Sequence, residues 1–167
     1  AFNDSGYLDF ALRLKREGKA RALALSTHRI LIASALSDGV CRIENALSSE
    51  DTQLTTEALR QLGIQIEEAS GNQLFVYGGG GRLQPKQDRI YLVNSGTSMR
   101  LLTAVAALGP GTVTLCGSAR MGQRPIQDLI DALRDIGVRV DSTNRNGCPP
   151  IKIHGGILSG GAVSINC

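Results

Sequence analysis

One seven-residue pattern is echoed later in this chain. Ala58-Leu59-Arg60-Gln61-Leu62-Gly63-Ile64 returns as Ala132-Leu133-Arg134-Asp135-Ile136-Gly137-Val138. The likeness extends on both sides. Ser26-Thr27-His28-Arg29, followed by Ile30, Leu31, Ala33 and Ala35, matches Thr97-Ser98-Met99-Arg100, followed by Leu101, Leu102, Ala104 and Ala106. Leu74 to Gly78 is echoed by Ile151 to Gly155, and the offset between copies drifts by only a few residues. Repetition at this period makes each copy one supersecondary unit, here a helix, a strand, a helix and a strand pair. A unit with one sheet face and two helices cannot bury its apolar surface alone, so the copies must pack around a shared centre. The expected class is therefore α/β (α+β), with repeat unit one at about residues 26–80 and unit two at about 90–156. Residues 157–167 read as the start of a third unit, its first strand alternating around Val163 and Ile165 between Gly160 and Ile165. Residues 1–25 form a lead-in.

Element boundaries follow from caps and breakers. Asp4-Ser5 can cap a short helix through Leu8, Ala11, Leu12 and Leu14 to Gly18, and Ala20 to Leu25 reads as a strand. A helix runs from Ser26-Thr27 to Asp38-Gly39, with a short strand over Val40–Ile43 after it. Ser48 and Asp51 stand at capping-box spacing before a helix through Leu54, Ala58, Leu59 and Leu62, with Gly63 at the C′ position. Strands are expected around Ile64 and Ile66 and over Leu74–Tyr77, with a turn at Gly71-Asn72 between them. Gly78 to Gly81 reads as a flexible linker. In the second unit Gly109-Pro110-Gly111 turns into a strand around Val113 and Leu115. Pro125 opens a helix with Ile126, Leu129, Ile130, Leu133 and Ile136 on one face, stopped by Gly137.

Composition narrows the partners. With Trp absent and aromatics at 4%, the core must be aliphatic. A net charge of +3 without a Lys/Arg block argues against a nucleic-acid surface; scattered single arginines suit anionic metabolites better. Cys41, Cys116, Cys148 and Cys167 form no CxxC pair, which predicts reduced thiols in a cytosolic protein rather than zinc or disulfides. There is no run of about 18 apolar residues, so no membrane span is expected, and the start lacks a signal-peptide pattern.

Two stretches stand out as candidate sites: Asn94-Ser95-Gly96-Thr97-Ser98-Met99-Arg100, and Arg120-Met121-Gly122-Gln123-Arg124-Pro125-Ile126. Both read as helix starts carrying positive charge, where free backbone N–H groups and the helix dipole favour an anion. Arg29 and Arg100 recur at matching helix starts, and each could bind a ligand or pair with a carboxylate. Arg124, read at the head of a helix, sits where the dipole disfavours a cation, which points to an anion. Asn94 and Gly96 lie where glycine lets backbone N–H groups approach a ligand closely, or in an ordinary turn. Asp51 is equally a plain cap. His28 could face the site or solvent, and His154 reads as structural. No Ser-His-acid set, metal cluster or P-loop is present, so neither cofactor nor metal is expected.

These residues carry a resemblance. The chain is similar to the N-terminal part of 5-enolpyruvylshikimate-3-phosphate synthases, the enolpyruvyl transferase family of the shikimate pathway. The matching motifs are Thr27-His28-Arg29, Ser49-Glu50-Asp51-Thr52, Asn94-Ser95-Gly96-Thr97 with Arg100, and Arg120-Met121 with Arg124-Pro125-Ile126. Ala132-Leu133 through Gly137 and Cys148-Pro149-Pro150-Ile151 match as well. The resemblance implies two globular domains of three βαβαββ units each, closing over phosphoenolpyruvate and shikimate 3-phosphate. It places Arg29 at shikimate 3-phosphate and Gly96 and Arg124 at phosphoenolpyruvate, where glyphosate also binds. Asn94, Thr97, Arg100, Thr27 and Asp51 would shape the wall. The family's Gly-Ser-Lys-Ser segment has Ala24 and Leu25 at the lysine and serine positions here, and Lys19 lies too far upstream to substitute. The family's following Ser-Ser-Gln stretch and its second domain, with the acid–base groups, are not in this chain. Two readings follow: a transferase portion that needs the remainder of the synthase chain or a complementing partner, or a degenerate binding or scaffold protein. A third, the enolpyruvyl transferase of peptidoglycan synthesis, lacks the Arg-Met and Arg-Pro-Ile arrangement.

Overall fold

The computed structural model describes residues 27–156 and 158–163. In chain order these form α1 (Thr27–Leu36), β1 (Asp38–Ile43), α2 (Glu50–Gln61), β2 (Gln65–Ala69), β3 (Gln73–Gly79), β4 (Arg89–Tyr91), α3 (Gly96–Ala106), β5 (Gly111–Cys116), α4 (Gln127–Asp135), β6 (Arg139–Ser142) and β7 (Ile151–Gly155). A single 3₁₀ turn, Met121–Gln123, precedes α4.

The strands make two sheets, β1-β3-β2 and β4-β5-β7-β6. The first is antiparallel throughout, with Val76 of β3 opposite Cys41 and Ile66. In the second, β4 runs parallel to β5 with Ile90 opposite Leu115, while Ile153 of β7 faces Val113 and Val140 across antiparallel ladders. Replacing β1, β3 and β2 by β5, β7 and β6 turns one sheet order into the other. The repeat read from sequence is thus a repeat of topology, and β4 completes the second unit as βαβαββ. The strand expected over Ala20–Leu25 and the helix expected from Asp4 lie outside the described residues.

Equivalence reaches into details that periodicity does not show. Gly39 pairs with Gly78 and Gly111 with Gly155, and the first member of each pair has a positive φ (+92° and +82°). A Cβ on Gly78 would run into the Ser37 and Ser34 carbonyls, and one on Gly155 into those of Gly109 and Ala106. In both units the last strand therefore lies directly against the C-terminal end of the first helix. Gly78 and Gly79 belong to β3, so the glycine run is a close-packed strand end and not a flexible linker. Gly63 and Gly137 both end their helices in the left-handed region (φ +98° and +91°). The chain leaving each unit crosses there in the same way, Gln84 N–H donating to the Leu62 carbonyl (3.0 Å) and Ser159 N–H to that of Ile136 (3.1 Å).

Three boundaries differ from the sequence reading. The cap of α2 is Ser49, not Ser48, with Thr52 completing the capping box: Ser49 Oγ accepts from Thr52 N–H and Thr52 Oγ1 from Ser49 N–H. Pro125 lies outside α4, whose cap is Ile126, because the Ile126 N–H is taken by the Gly147 carbonyl at 2.8 Å rather than pointing along a helix start. No strand forms over residues 158–163, and residues 164–167 are outside the described set.

The core is aliphatic. Leu31 and Ala35 of α1, Leu59 of α2, Met99 and Leu102 of α3 and Ile130 of α4 pack with Val76, Ile90, Leu115, Ile151 and Ile153 of the sheets. Helices α1, α2 and α3 contact one another, and α2 also reaches β4 of the second unit. Fully burying each such Leu, Ile, Val or Met side chain stabilises by roughly 1.5–3 kcal/mol, which gives the units a reason to stay together. This junction brings three helix N-terminal regions into one neighbourhood.

Candidate functional site

The N-terminus of α3 is the centre of the site. Ser95, almost wholly buried, caps it: its Oγ accepts from Ser98 N–H at 3.3 Å. Met99 N–H already donates to the Ser95 carbonyl. That leaves the N–H groups of Gly96 and Thr97 with no acceptor among the described residues, and both point out of the helix start by the geometry of a first turn. The approach to this helix is tight. Val93 is held at φ +46°, an uncommon conformation for a β-branched residue, and its carbonyl accepts from Ser118 N–H at 2.8 Å. A Cβ on Gly117 would sit 2.5 Å from that same carbonyl.

Arg124 comes to this helix from another connection. Its Nη1 donates to the Asn94 carbonyl at 3.3 Å and lies 2.9 Å from where a Cβ on Gly96 would be. The cation expected at the head of α4 therefore stands over the first turn of α3, and the dipole argument moves to that helix. Arg100 Nη2 donates to the Pro125 carbonyl at 2.9 Å, fixing the backbone next to Arg124. Asn94 Oδ1 accepts a short hydrogen bond from Ser118 Oγ.

Charge separates this helix start from its neighbours. The first turn of α2 carries Glu50 and Asp51, and that of α4 carries Asp128. These carboxylates offset their own dipoles and repel an anion. The first turns of α1 and α3 have no acidic residue. Arg29 lies exposed in α1, and Arg124 stands over α3.

A chain of side chains links the two. His28 Nδ1 lies 2.8 Å from Thr55 Oγ1 of α2, which lies 2.7 Å from Ser98 Oγ, itself 2.6 Å from Ser95 Oγ. Thr55 Oγ1 also donates to the Asp51 carbonyl at 3.0 Å. Asp51 thus enters through its peptide oxygen, while its carboxylate is on the exposed surface.

Of the residues singled out from sequence, Asn94, Gly96 and Arg124 are in direct contact, Arg100 braces Arg124, and Asp51 joins the hydroxyl chain. Thr97 and Arg29 are exposed and without side-chain partners among the described residues. Thr27 does something different: its Oγ1 accepts from Leu47 N–H at 3.2 Å, and it lines a groove of about 350 Å³ with Leu47, Gln53, Glu57 and Leu74. Sequence reasoning took in Ser95 and Ser98 only as members of the α3 stretch, with no role of their own, and passed over Thr55 and Ser118. The spacing of Ser95 and Ser98 is a legible N-cap signal; nothing local marks Thr55 or Ser118. Two titration shifts lie on strands outside this cluster. The hydrogen bond to Glu67, with burial, raises the Tyr77 phenol, and the bond to Cys116 Sγ raises the Arg89 guanidinium. Among the described residues no three His, Cys, Asp or Glu side chains gather as a metal site, and no helix is long and apolar enough to cross a membrane.

The family model described as EPSP synthase (3-phosphoshikimate 1-carboxyvinyltransferase) matches residues 13–167. The chain belongs to the EPSP synthase family. A 3-phosphoshikimate 1-carboxyvinyltransferase of Methanothermobacter thermautotrophicus is 45% identical over 139 residues, covering 83% of this chain and 32% of that protein. The pentafunctional AROM polypeptide of Malassezia globosa is 39% identical over 155 residues, 10% of its length. Among solved structures, EPSP synthase from Acinetobacter baumannii superposes with a TM-score of 0.73 at 30% identity, over 78% of this chain and 30% of that one. The enolpyruvyl transferase NikO from Streptomyces tendae, at 12% identity and a TM-score of 0.53, shares the fold. The chain spans about a third of the length of the first curated relative, 32%.

Proposed function

We propose that this chain supplies part of the substrate site of an enolpyruvyl transferase that moves the enolpyruvyl group of phosphoenolpyruvate to the 5-hydroxyl of shikimate 3-phosphate, releasing phosphate. One observation supports this most: the Arg124 guanidinium over the Gly96 turn of α3, next to two N–H groups without acceptors among the described residues. Charge-assisted hydrogen bonds from such a cradle favour a carboxylate or phosphate. In this reading phosphoenolpyruvate occupies the α3 start and shikimate 3-phosphate the Arg29 end of α1, with Asn94, Thr97, Arg100, Thr27 and Asp51 as wall. The acid–base groups come from the remainder of the synthase chain or from a complementing partner, in the cytoplasm. Units at residues 26–80 and 90–156, with a third beginning at 157, would give the domain its three-fold build.

Amide-shift titration tests the reading. Shikimate 3-phosphate is expected to move Arg29, and phosphoenolpyruvate to move Gly96, Thr97 and Arg124. Unmoved amides at millimolar ligand would sink it. Ala24 and Leu25, at the family's lysine and serine positions, favour a second reading as a non-catalytic binding protein. Phosphate release from the two substrates, measured on the chain with its complementing half, separates the two.

A further inference from the structure

The hydroxyl chain between α1 and α3 holds more information than its distances alone. Each hydroxyl has one proton, and each proton can be spent once. Among the described residues, Ser95 Oγ has only Ser98 Oγ to donate to, at 2.6 Å. Ser98 Oγ is then an acceptor there, and its own proton goes to Thr55 Oγ1 at 2.7 Å rather than to the Asp51 carbonyl at 3.5 Å, since otherwise the two hydroxyl oxygens would meet without a proton between them. Thr55 has two neighbours left, the Asp51 carbonyl at 3.0 Å and His28 Nδ1 at 2.8 Å. If Thr55 gave its proton to His28, its oxygen and the Asp51 carbonyl would face each other lone pair to lone pair at 3.0 Å. If Thr55 donates to Asp51, that contact is a hydrogen bond, and His28 must supply the proton between Nδ1 and Oγ1. Thr55 is fully buried, so an unmade bond there is not repaired by water.

We infer that His28 is a positioning residue of the anion site: it is held as the Nδ1–H tautomer, donating to Thr55 and so holding in place the acceptor of the Ser98 proton, at one end of the hydroxyl chain whose other end caps Ser98 N–H. The consequence reaches α3. With Ser98 N–H committed to its cap, Gly96 and Thr97 are the two first-turn donors left for a ligand. His28 acts through Thr55 and Ser98 and need touch no substrate. Its binding consequence rests on the reading of the α3 start as an anion site; its tautomer does not.

Both arms are measurable on the whole chain. Long-range ¹H–¹⁵N imidazole spectra of the neutral protein distinguish the tautomers, and a His154→Asn variant assigns the two histidines. A pyrrole-type Nδ1 and pyridine-type Nε2 at His28 are expected, and Thr55→Val should return His28 to the Nε2–H form common in free side chains. The same variant should weaken inorganic phosphate binding, read at the Gly96 and Thr97 amides, by about fivefold, the loss of roughly one hydrogen bond's effect. An Nε2–H tautomer in the unaltered chain overturns the inference, as does a tautomer indifferent to Thr55→Val. If Thr55→Val fails to fold, the unaltered chain's tautomer still decides. If phosphate leaves Gly96 and Thr97 unmoved while His28 is Nδ1–H, the anion-site reading falls and the positioning of the α3 cap by His28 stands.

Discussion

The two units share sheet order, paired glycines and helix ends, yet differ in the connections that carry polar chemistry. In unit one, residues 44–49 join β1 to α2, and the β2–β3 hairpin turns through Gly71 and Asn72, with Ala46 N–H on the Asn72 carbonyl (2.9 Å). In unit two the same stitch exists, Ile126 N–H on the Gly147 carbonyl (2.8 Å), but both connections are longer. Residues 143–150 fold back onto the start of α4, with Ser142 Oγ donating to the Cys148 carbonyl (2.6 Å). Residues 117–126 then have room for the 3₁₀ turn that delivers Arg124 to α3. Both copies keep a groove between these connections: about 350 Å³ beside Thr27 and Leu47 in unit one, and about 290 Å³ between Ser118, Gly122, Asn144 and Pro149 in unit two. One scaffold has been used twice, and the arginine clamp belongs to the copy with the longer connections.

The strongest way to break the equivalence is at the paired glycines. Gly78→Ala and Gly155→Ala should each destabilise by about 2–3 kcal/mol, because a Cβ meets helix carbonyls that cannot retreat. Equal losses of urea midpoint would sharpen the comparison. Tolerance of Gly78→Ala alone would mean unit one closes differently.

The next contrast is between the two arginines. On the proposed reading, Arg124→Ala should weaken phosphoenolpyruvate binding by about tenfold or more, as removal of a charge-assisted donor does, with the melting temperature little changed. Gly96→Ala should act in the same direction by displacing the guanidinium that lies 2.9 Å from its new Cβ. Arg29→Ala should instead weaken shikimate 3-phosphate binding and leave the Gly96 amide's response to phosphoenolpyruvate intact. Calorimetric titration of the three variants checks all of this, and identical profiles for Arg29→Ala and Arg124→Ala would erase the assignment of separate anions.

Smaller effects test the turn before α3 and the β2–β3 pair. Val93→Gly removes the left-handed strain on a β-branched residue and should raise stability by about 0.5–1 kcal/mol; a loss of stability would show the Val93 side chain matters more than its backbone. Least of all is Glu67→Gln in unit one. Tyr77 donates to Glu67 Oε2 (3.1 Å), and this bond raises its pKa above 10.0. A raised folded pKa means the contribution is present below pH 10.0 and is lost as pH climbs through Tyr77's own ionisation. The ¹³Cζ titration of Tyr77 should move back toward 10.0 in the variant.

Local chemistry made much of this molecule legible in advance. Helix α1, the Gly63 and Gly137 stops and the alternation of Val113 and Leu115 follow from propensity, φ freedom and period, all properties of neighbours in sequence. Duplication followed from recurrence alone, and with it the order of helix, strand, helix and strand pair that both units share. The placing of charge did not. Arg124 was expected to serve α4, the helix it precedes, and serves α3 instead, because a long side chain on an extended segment goes where the fold brings an acceptor within reach. The glycine run after Tyr77 carried the signature of a linker, yet the approach of α1 makes Gly78 a packing requirement. Thr55 and Ser98 lie 43 positions apart and look like ordinary helix hydroxyls until two helices meet. Residue order by itself specified two copies of one unit and which helix starts lack carboxylates, since both depend on contacts within a few residues. Tertiary structure alone decided which start receives the arginine and how the two starts are wired together, since those bonds span the units and exist only once the shared core has closed.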